Sequence, residues 1–371
     1  MTDDARAEEA RLVPIAEIVE RLGLGGLKRA GREMVGPCPR CGGTDRFSIN
    51  PDRGVYNCRT CGGGDGLALE QLGRDCAFRE ALAFVVGDAE VGLDPAEAAR
   101  RAEARARQNA DREREAARRR NGAIARAREI WRECQPGAGS PVQAYLEARG
   151  IRRDWLSDWP RALRFHPSLP YLVASDVPGQ WTEIHRGPAM VAAIVNPAGE
   201  LTGVHRTWID PARPKGRALI EHGGEKLQVK KVWGSKKGGA IRLDRVQGDT
   251  LVMAEGIETT LTAAAAWAAP DTSFWAGIDL GNMAGRRILR GAGSRHAGIP
   301  DLDDEEAFLP PPWVTRLIYV QDGDSDPRLT RAKLLAGLRR AFVKVPRLTR
   351  VQIAHAGEGR DLNDIVMEAV Q

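Results

Sequence analysis

The 371-residue sequence predicts a multi-domain protein of α/β class, α+β in overall make-up, and three observations lead there. Two short cysteine pairs near the amino terminus call for a small β domain held by a metal. A stretch rich in Ala, Arg and Glu between residues 98 and 133, with no Pro and no Gly before Gly122, predicts a long helix that is polar almost all round. From Asp249 onward strand and helix patterns alternate, which implies a mostly parallel sheet flanked by helices.

Taken in order, residues 12–24 carry apolar side chains at helical spacing (Leu12, Ile15, Ile18, Val19, Leu22), and the glycines from Gly23 to Gly26 end that helix. Cys38-Pro-Arg-Cys41 and Cys58-Arg-Thr-Cys61 follow, sixteen residues apart. Each pair precedes two glycines, Gly42-Gly43 and Gly62-Gly63, whose backbone can turn sharply and aim N–H groups at the sulfurs. The doubled Cys-x-x-Cys spacing reads as one tetrahedral, structural Zn²⁺ site on Cys38, Cys41, Cys58 and Cys61, in preference to disulfides or inert buried thiols. Cys76 and Cys134 read as plain thiols.

The net charge of +5 and pI near 9.0 are concentrated in one place, for residues 98–133 hold twelve arginines against six acidic residues. A solvated helical spacer is one reading of that segment, and a contact tracking a nucleic-acid backbone is the other. The next unit reads as β-rich. Met190–Val195 and Leu201–Ile209 alternate as two strands around the turn Asn196-Pro-Ala-Gly199. The expected domains are therefore 1–88, a helical linker over 89–135, a β-rich subdomain over 136–248, and an α/β domain over 249–371. Its strands are expected at Leu251–Ala254, Arg316–Gln321 and Val351–Ala354, with helices over Thr259–Ala269 and from about Arg331 to Phe342.

The acidic residues of this last domain fall at predicted strand ends. Glu255, followed by Gly256, closes the first strand, and Asp322-Gly-Asp324 closes the next. Parallel strands of one sheet gather ligands at their carboxyl ends, and converging carboxylates favour a hard divalent cation, Mg²⁺ or Mn²⁺. Trp155, Trp159 and Trp181 read as core residues, with base stacking as the alternative. Gly234-Ser-Lys-Lys-Gly-Gly is not a Walker motif, since it lacks the Gly-Lys-Ser/Thr ending. No signal peptide opens the chain, and the longest apolar stretch, Leu261–Ala269, is far shorter than a membrane span, so a cytoplasmic protein without a membrane partner is expected.

Gly36-Pro-Cys-Pro-Arg-Cys-Gly-Gly-Thr-Asp-Arg-Phe47, with Gly63-Gly-Asp-Gly-Leu-Ala-Leu-Glu-Gln-Leu72 and Cys76-Ala-Phe-Arg-Glu-Ala-Leu-Ala-Phe84, resembles the primase zinc ribbon of phage and plasmid primase-helicases. It is similar also to the zinc-binding domain of DnaG-type primases. The resemblance covers roughly residues 12–87. Glu255-Gly with Asp322-Gly-Asp324 resembles the Toprim domain of primases, topoisomerases and related nucleases, and Gly359-Arg-Asp-Leu-Asn-Asp364 is similar to a primase loop after the last core strand. Val204-His-Arg-Thr207 and Val229-Lys-Lys-Val-Trp-Gly-Ser-Lys-Lys-Gly-Gly239 resemble the strand and basic loop before Toprim.

The resemblance implies a DNA primase making short RNA primers on single-stranded DNA from ribonucleoside triphosphates. It implies Glu255, Asp322 and Asp324 as catalytic and, with Asp361, as holding catalytic Mg²⁺ or Mn²⁺, and it implies Arg206, Lys230 and Lys231 as facing template and nucleotide, opposite the acidic site. A separate replicative helicase and a mobile-element origin are further implications. The chain departs from the family pattern at Thr259 and Asn363, where acids are expected, with Glu258 a candidate to compensate, and at Asp324-Ser-Asp-Pro327. Two alternatives stay open: a Toprim nuclease or topoisomerase-like enzyme, for which Tyr56, Tyr145, Tyr171 and Tyr319 offer no recognisable setting, and a non-catalytic single-strand-binding adaptor.

Overall fold

Glycine-rich turns and short alternating strands organise the amino-terminal part of the chain. The computed structural model describes residues 3–87, 95–156, 158–175, 180–244, 248–267, 269, 271–289, 294–321, 326–355 and 362, and the chain forms two units, Met1–Ala116 and Ala117–Gln371. In the first, helices α1 (Asp3–Arg11) and α2 (Ile15–Arg21) precede an antiparallel sheet of β1 (Lys28–Ala30), β2 (Glu33–Cys38), β3 (Gly42–Asn50), β4 (Val55–Cys58) and β5 (Gly62–Asp65), paired in chain order. Helices α3 (Gly66–Arg74) and α4 (Phe78–Val86) close the unit.

The helix expected over 12–24 is shorter and starts later. Pro14 stands at the N-cap of α2 with φ −58° and ψ 136°, because proline has no N–H to donate and disfavours helical backbone in the residue before it. Leu12 is left exposed, whereas Ile15, Ile18 and Val19 are buried against Phe47, Ile49, Leu69 and Leu82. This apolar cluster is small, as a domain of this size allows, and the buried Cys38 and Cys58 belong to it.

Helix α5 (Pro95–Glu133) is 39 residues long. Its middle turns are exposed, and only near its end do Ala127 and Ile130 become fully buried. The β-rich part contains β6 (Gln135–Pro136), α6 (Pro141–Glu147), β7 (Leu163–Ala174), β8 (Trp181–Val195), β9 (Leu201–Trp208), a small hairpin of β10 (Glu221–His222) and β11 (Glu225–Lys226), and β12 (Lys230–Gly234). The main antiparallel sheet runs β12-β9-β8-β7-β6. Both faces are covered: Met190, Ala192 and Ile194 enter one core with Tyr145, Ile257 and Leu261, and Ala189 and Val191 enter another with Ala127, Ile130 and Trp208. Period-two alternation places neighbours on opposite faces, so the continuous apolar run of β8 reads as a strand buried on both sides.

The last sheet is built from β13 (Ile241–Arg242), β14 (Thr250–Ala254), β15 (Thr272–Ala276), β16 (Arg316–Gln321) and β17 (Arg350–His355) in the order β13-β15-β14-β16-β17. The four strands from β14 to β17 pair in parallel, and β13 is antiparallel at the edge. Helices α7 (Ile257–Ala266), α8 (Leu280–Ala284), α9 (Ser294–Ala297) and α10 (Pro327–Lys344) connect them. The mixed α/β class and the strand–helix alternation expected from Asp249 stand in the structure.

Two helix starts differ from expectation for local reasons. Helix α7 opens at Ile257 instead of Thr259, with Gly256 in extended backbone at its N-cap. Helix α10 begins at Pro327, four residues earlier than expected. The Asp326 carboxylate accepts from the N–H groups of Arg328 and Leu329 at 3.1 Å each, and proline fits the first helical position. The Asp326-Pro327 part of the departure from the family pattern is thus a helix start signal.

Asp65 caps α3 in the same way, accepting from Ala68 N at 2.9 Å. Replacing it by alanine is expected to destabilise the first unit by about 1 kcal/mol, whereas Asp65→Asn stays within a few tenths of wild type. Denaturant unfolding of the zinc-loaded chain, followed by a signal of that unit, checks this.

Candidate functional site

The four cysteines come from two equivalent turns. Cys38 ends β2 and Cys58 ends β4, while Cys41 and Cys61 sit at the start of the next strands, just before Gly42 and Gly62. Those glycines have φ +64° and +93°, the left-handed region that residues with a Cβ rarely adopt. The sulfurs of Cys38 and Cys61 are 3.9 Å apart and those of Cys41 and Cys58 are 3.5 Å apart, with all four within 4.8 Å of one another. Tetrahedral zinc with Zn–S bonds of about 2.3 Å requires sulfur separations of about 3.8 Å, so the donor set fits a four-cysteine zinc site. Cys61 N donates to Cys58 Sγ at 3.4 Å, the backbone support expected at such a knuckle. Around it, Arg40 pairs with Asp75 and Arg59 with Asp45, both at the surface, whereas Arg46, and Arg53 at the far β3–β4 turn, have no acidic partner among the described residues.

In the second unit β14 and β16 are neighbours, parallel and in register from Thr250↔Arg316 to Met253↔Tyr319. Glu255 therefore leaves the sheet one residue beyond Ala254, beside the end of the strand that closes at Gln321. Asp322, Asp324, Asp361 and Asn363 lie outside the described residues. Glu255 is half-buried. Gly256 beside it has φ −101°, and a Cβ there would meet only ordinary contacts, so the turn does not demand glycine.

Glu258 has a different role from that of a metal ligand in reserve. It is 4% exposed, and both its oxygens are engaged: Tyr145 Oη donates to Oε1 at 2.5 Å, and Lys230 Nζ lies 2.8 Å from Oε1 and 2.9 Å from Oε2. Arg217 approaches Oε1 at 3.8 Å. Burial alone would raise this carboxyl, but Lys230 and the Tyr145 hydroxyl hold it far below the usual carboxylate range. The same network raises the Tyr145 phenol well above its ordinary value, chiefly by burial and then by Glu258.

The three cations expected to face the acidic site do not share a face. Lys230 and Lys231 are adjacent on β12, so their side chains leave the sheet on opposite sides. Lys230 is on the face of Glu258 and Tyr145. Lys231 is cross-strand neighbour to Arg206, and both lie on the face of Trp208 and Trp233. His205, on the face of Lys230, has its pKa lowered to about 4 by burial and then by the Lys230 charge, so it is neutral at pH 7.

Two residues of the site were not singled out in the sequence. Asp279 caps α8 by accepting from Asn282 N at 2.8 Å and pairs with Lys236. Asn282 is a buried clasp: its Nδ2 donates to Gly239 O at 2.8 Å and Gly277 O at 3.0 Å, and its Oδ1 accepts from Gly238 N at 3.1 Å. Lys237 pairs with Glu306. The basic Lys236–Gly239 loop is therefore tied to the parallel sheet by acids and one amide. Asp-Leu-Gly-Asn after a strand, a helix start signal, was the available clue.

Residues 33–67 match the family described as the zinc-binding domain of primase-helicase. Residues 121–243 match a domain of unknown function (DUF7146). No curated protein matches the chain. Among solved structures, the zinc-binding and RNA polymerase domains of the Aquifex aeolicus primase are 17% identical, over 99% of this chain and 82% of that one, with a TM-score of 0.38. The primase fragment of the bacteriophage T7 primase-helicase protein is 12% identical over 90% and 94%, TM-score 0.33, and a DNA primase domain from Pseudomonas aeruginosa is 16% identical over 62% and 68%, TM-score 0.34. No helix among the described residues is long and apolar enough to cross a membrane.

One zinc per chain is expected on metal analysis, falling to none in a Cys38→Ser, Cys58→Ser double variant, with chelation unfolding the first unit and leaving the second intact by proteolysis. Glu258→Gln strands Lys230 and Arg217 without their counterion. It is expected to cost about 2–3 kcal/mol, less than the 3–5 of a fully buried pair because Lys230 reaches solvent. The folded pKa is depressed, so the charge contributes stability above the unfolded value of about 4.3, and that contribution is lost as pH falls from there toward the folded value. Chemical unfolding between pH 7 and pH 3 should show wild type and Glu258→Gln converging at the acid end.

Proposed function

We propose that the protein is a DNA primase that makes short RNA primers on single-stranded DNA, with a zinc ribbon engaging the template. The observation that carries the reading is the four-thiol centre inside a segment that matches the zinc-binding domain of primase-helicases. The second support is the topology that sets the Glu255 strand end beside the strand leading to Asp322. On this reading residues 249–371 are a Toprim-type domain, and ribonucleoside triphosphates are the substrates. A replicative helicase as partner belongs to the same reading, in keeping with the primase-helicase zinc-binding family that residues 33–67 match.

Glu255, Asp322, Asp324 and Asp361 are all carboxylates, a donor chemistry that fits Mg²⁺ or Mn²⁺, and they are the residues that would hold it. When bound, such ions neutralise charge on the nucleotide phosphates and on the oxygens entering and leaving the reacting phosphorus. The chain's own residues do the rest. Lys230, held by Glu258, which Tyr145 in turn holds, presents a positioned cation to a triphosphate, and its restricted freedom lowers the entropy lost on binding. Neutral His205 offers hydrogen bonding there without adding charge. Glu255, half-buried at the strand end, is the candidate to take the proton of the attacking 3′-hydroxyl.

Primer synthesis on single-stranded DNA with labelled ribonucleotides and Mg²⁺ or Mn²⁺ tests the reading. Wild type is expected to yield short products, and Glu255→Gln and Asp322→Asn to lower their yield at least 100-fold with zinc content unchanged. Absence of products from folded, zinc-loaded wild type on varied templates would refute it.

A further inference from the structure

The face of the β-rich sheet that carries Trp208 and Trp233 bears a row of stacked side chains that the catalytic reading leaves unused. The ring of Trp181 lies 5.2 Å from that of Trp233. The Arg206 guanidinium sits 5.0 Å from the centre of Trp233 and 5.2 Å from that of Trp208. Trp208 is 4.6 Å from Tyr171, over whose ring the Lys231 ammonium lies at 4.1 Å. Burial falls along the row. Tyr171 and Trp208 are sealed, Trp233 is half-buried, and Trp181 is 55% exposed, which is not the core position expected for it.

The polar atoms of this row are unevenly satisfied. Trp208 Nε1 donates to Leu169 O at 3.0 Å and Lys231 Nζ to Leu172 O at 3.1 Å, but Trp233 Nε1 is buried without a partner among the described residues. Arg206 is 3% exposed, donates no hydrogen bond among the described residues, and has its Nε sealed, while its terminal nitrogens keep a narrow path to solvent. No carboxylate among the described residues pairs with Arg206 or Lys231, and the charges that act on Arg206 include two cations, its cross-strand neighbour Lys231 and Arg126. A guanidinium stripped of most of its water and without an anion is costly, and stacking between two indoles offsets only part of that cost. An exposed indole beside two partly desolvated, unpaired cations matches a base next to a phosphate.

We infer that this row is a second single-strand nucleic-acid site, on the sheet face opposite Lys230 and Glu258: a base stacks on the open side of Trp181, and an adjoining phosphate accepts from Arg206 and Lys231. It is a holding site for template or nascent strand, apart from the acidic strand ends. It rests on the geometry of this face alone, so binding here and primer synthesis can fail separately.

Equilibrium binding of labelled 12-nucleotide DNA and RNA strands to the full, zinc-loaded chain is the test, with intrinsic tryptophan fluorescence as a second signal. Trp181→Ala is expected to weaken binding about 5-fold to 150-fold, the range of one stacked base, and to abolish most of the fluorescence quenching. Trp181→Phe retains most of the affinity, and Lys231→Gln lowers the slope of log affinity against log salt by about one phosphate contact. Glu255→Gln binds as wild type does. Unchanged affinity and quenching in Trp181→Ala, or a fall in affinity matched only by a fall in melting temperature and shared equally by Trp181→Phe, would overturn the inference. So would loss of strand binding in Glu255→Gln.

Discussion

A carboxylate closed off from water needs partners, and the second unit is arranged around one that has them. Glu258 draws Tyr145 from α6, Lys230 from β12 and Arg217 from the connection between β9 and the small hairpin onto the first turn of α7. Removing Lys230 would leave the buried carboxylate without its close counterion, so the antiparallel sheet is held in one relation to the parallel one. Glu255 lies three residues earlier, where the chain leaves β14. The network thus fixes the place from which the candidate catalytic carboxylate projects.

Strand periodicity divides the chemistry of the β-rich sheet. Lys230 and His205 lie toward Glu258, whereas their chain neighbours Lys231 and Arg206 lie toward the tryptophans. A one-residue step in a strand is a change of face, which is why two similar cations next to each other answer to different surroundings. Lys230 keeps a counterion. Lys231 meets a carbonyl and an aromatic face, and its pKa is lowered by burial and by Arg206.

The first unit meets a different constraint. Its apolar cluster draws on short helices and short strands, and two of the buried members are cysteines whose sulfurs converge with two more. For so small a core, binding free energy from a structural zinc becomes folding free energy. Glycines at the two knuckles supply the left-handed backbone that lets four ligands reach one point.

Much of this was legible in the sequence where the cause is local. The doubled Cys-x-x-Cys identified the zinc ligands because knuckle geometry is short-range, and strand–helix alternation identified the parallel sheet because period and turn residues are short-range too. Arg316–Gln321 was read to the residue. Pro14 and the Asp326-Pro327 cap were equally local signals that apolar periodicity outweighed, and they moved two helix ends. What the sequence could not hold was the set of partners. That Glu258 binds Tyr145, 113 residues away, that Asn282 clasps the Lys236–Gly239 loop, and that Trp181 stacks on Trp233 instead of entering a core are decided only when distant strands are paired. Side-chain facing follows register, register follows the long-range pairing of β12 with β9, and no residue on either strand states that register alone.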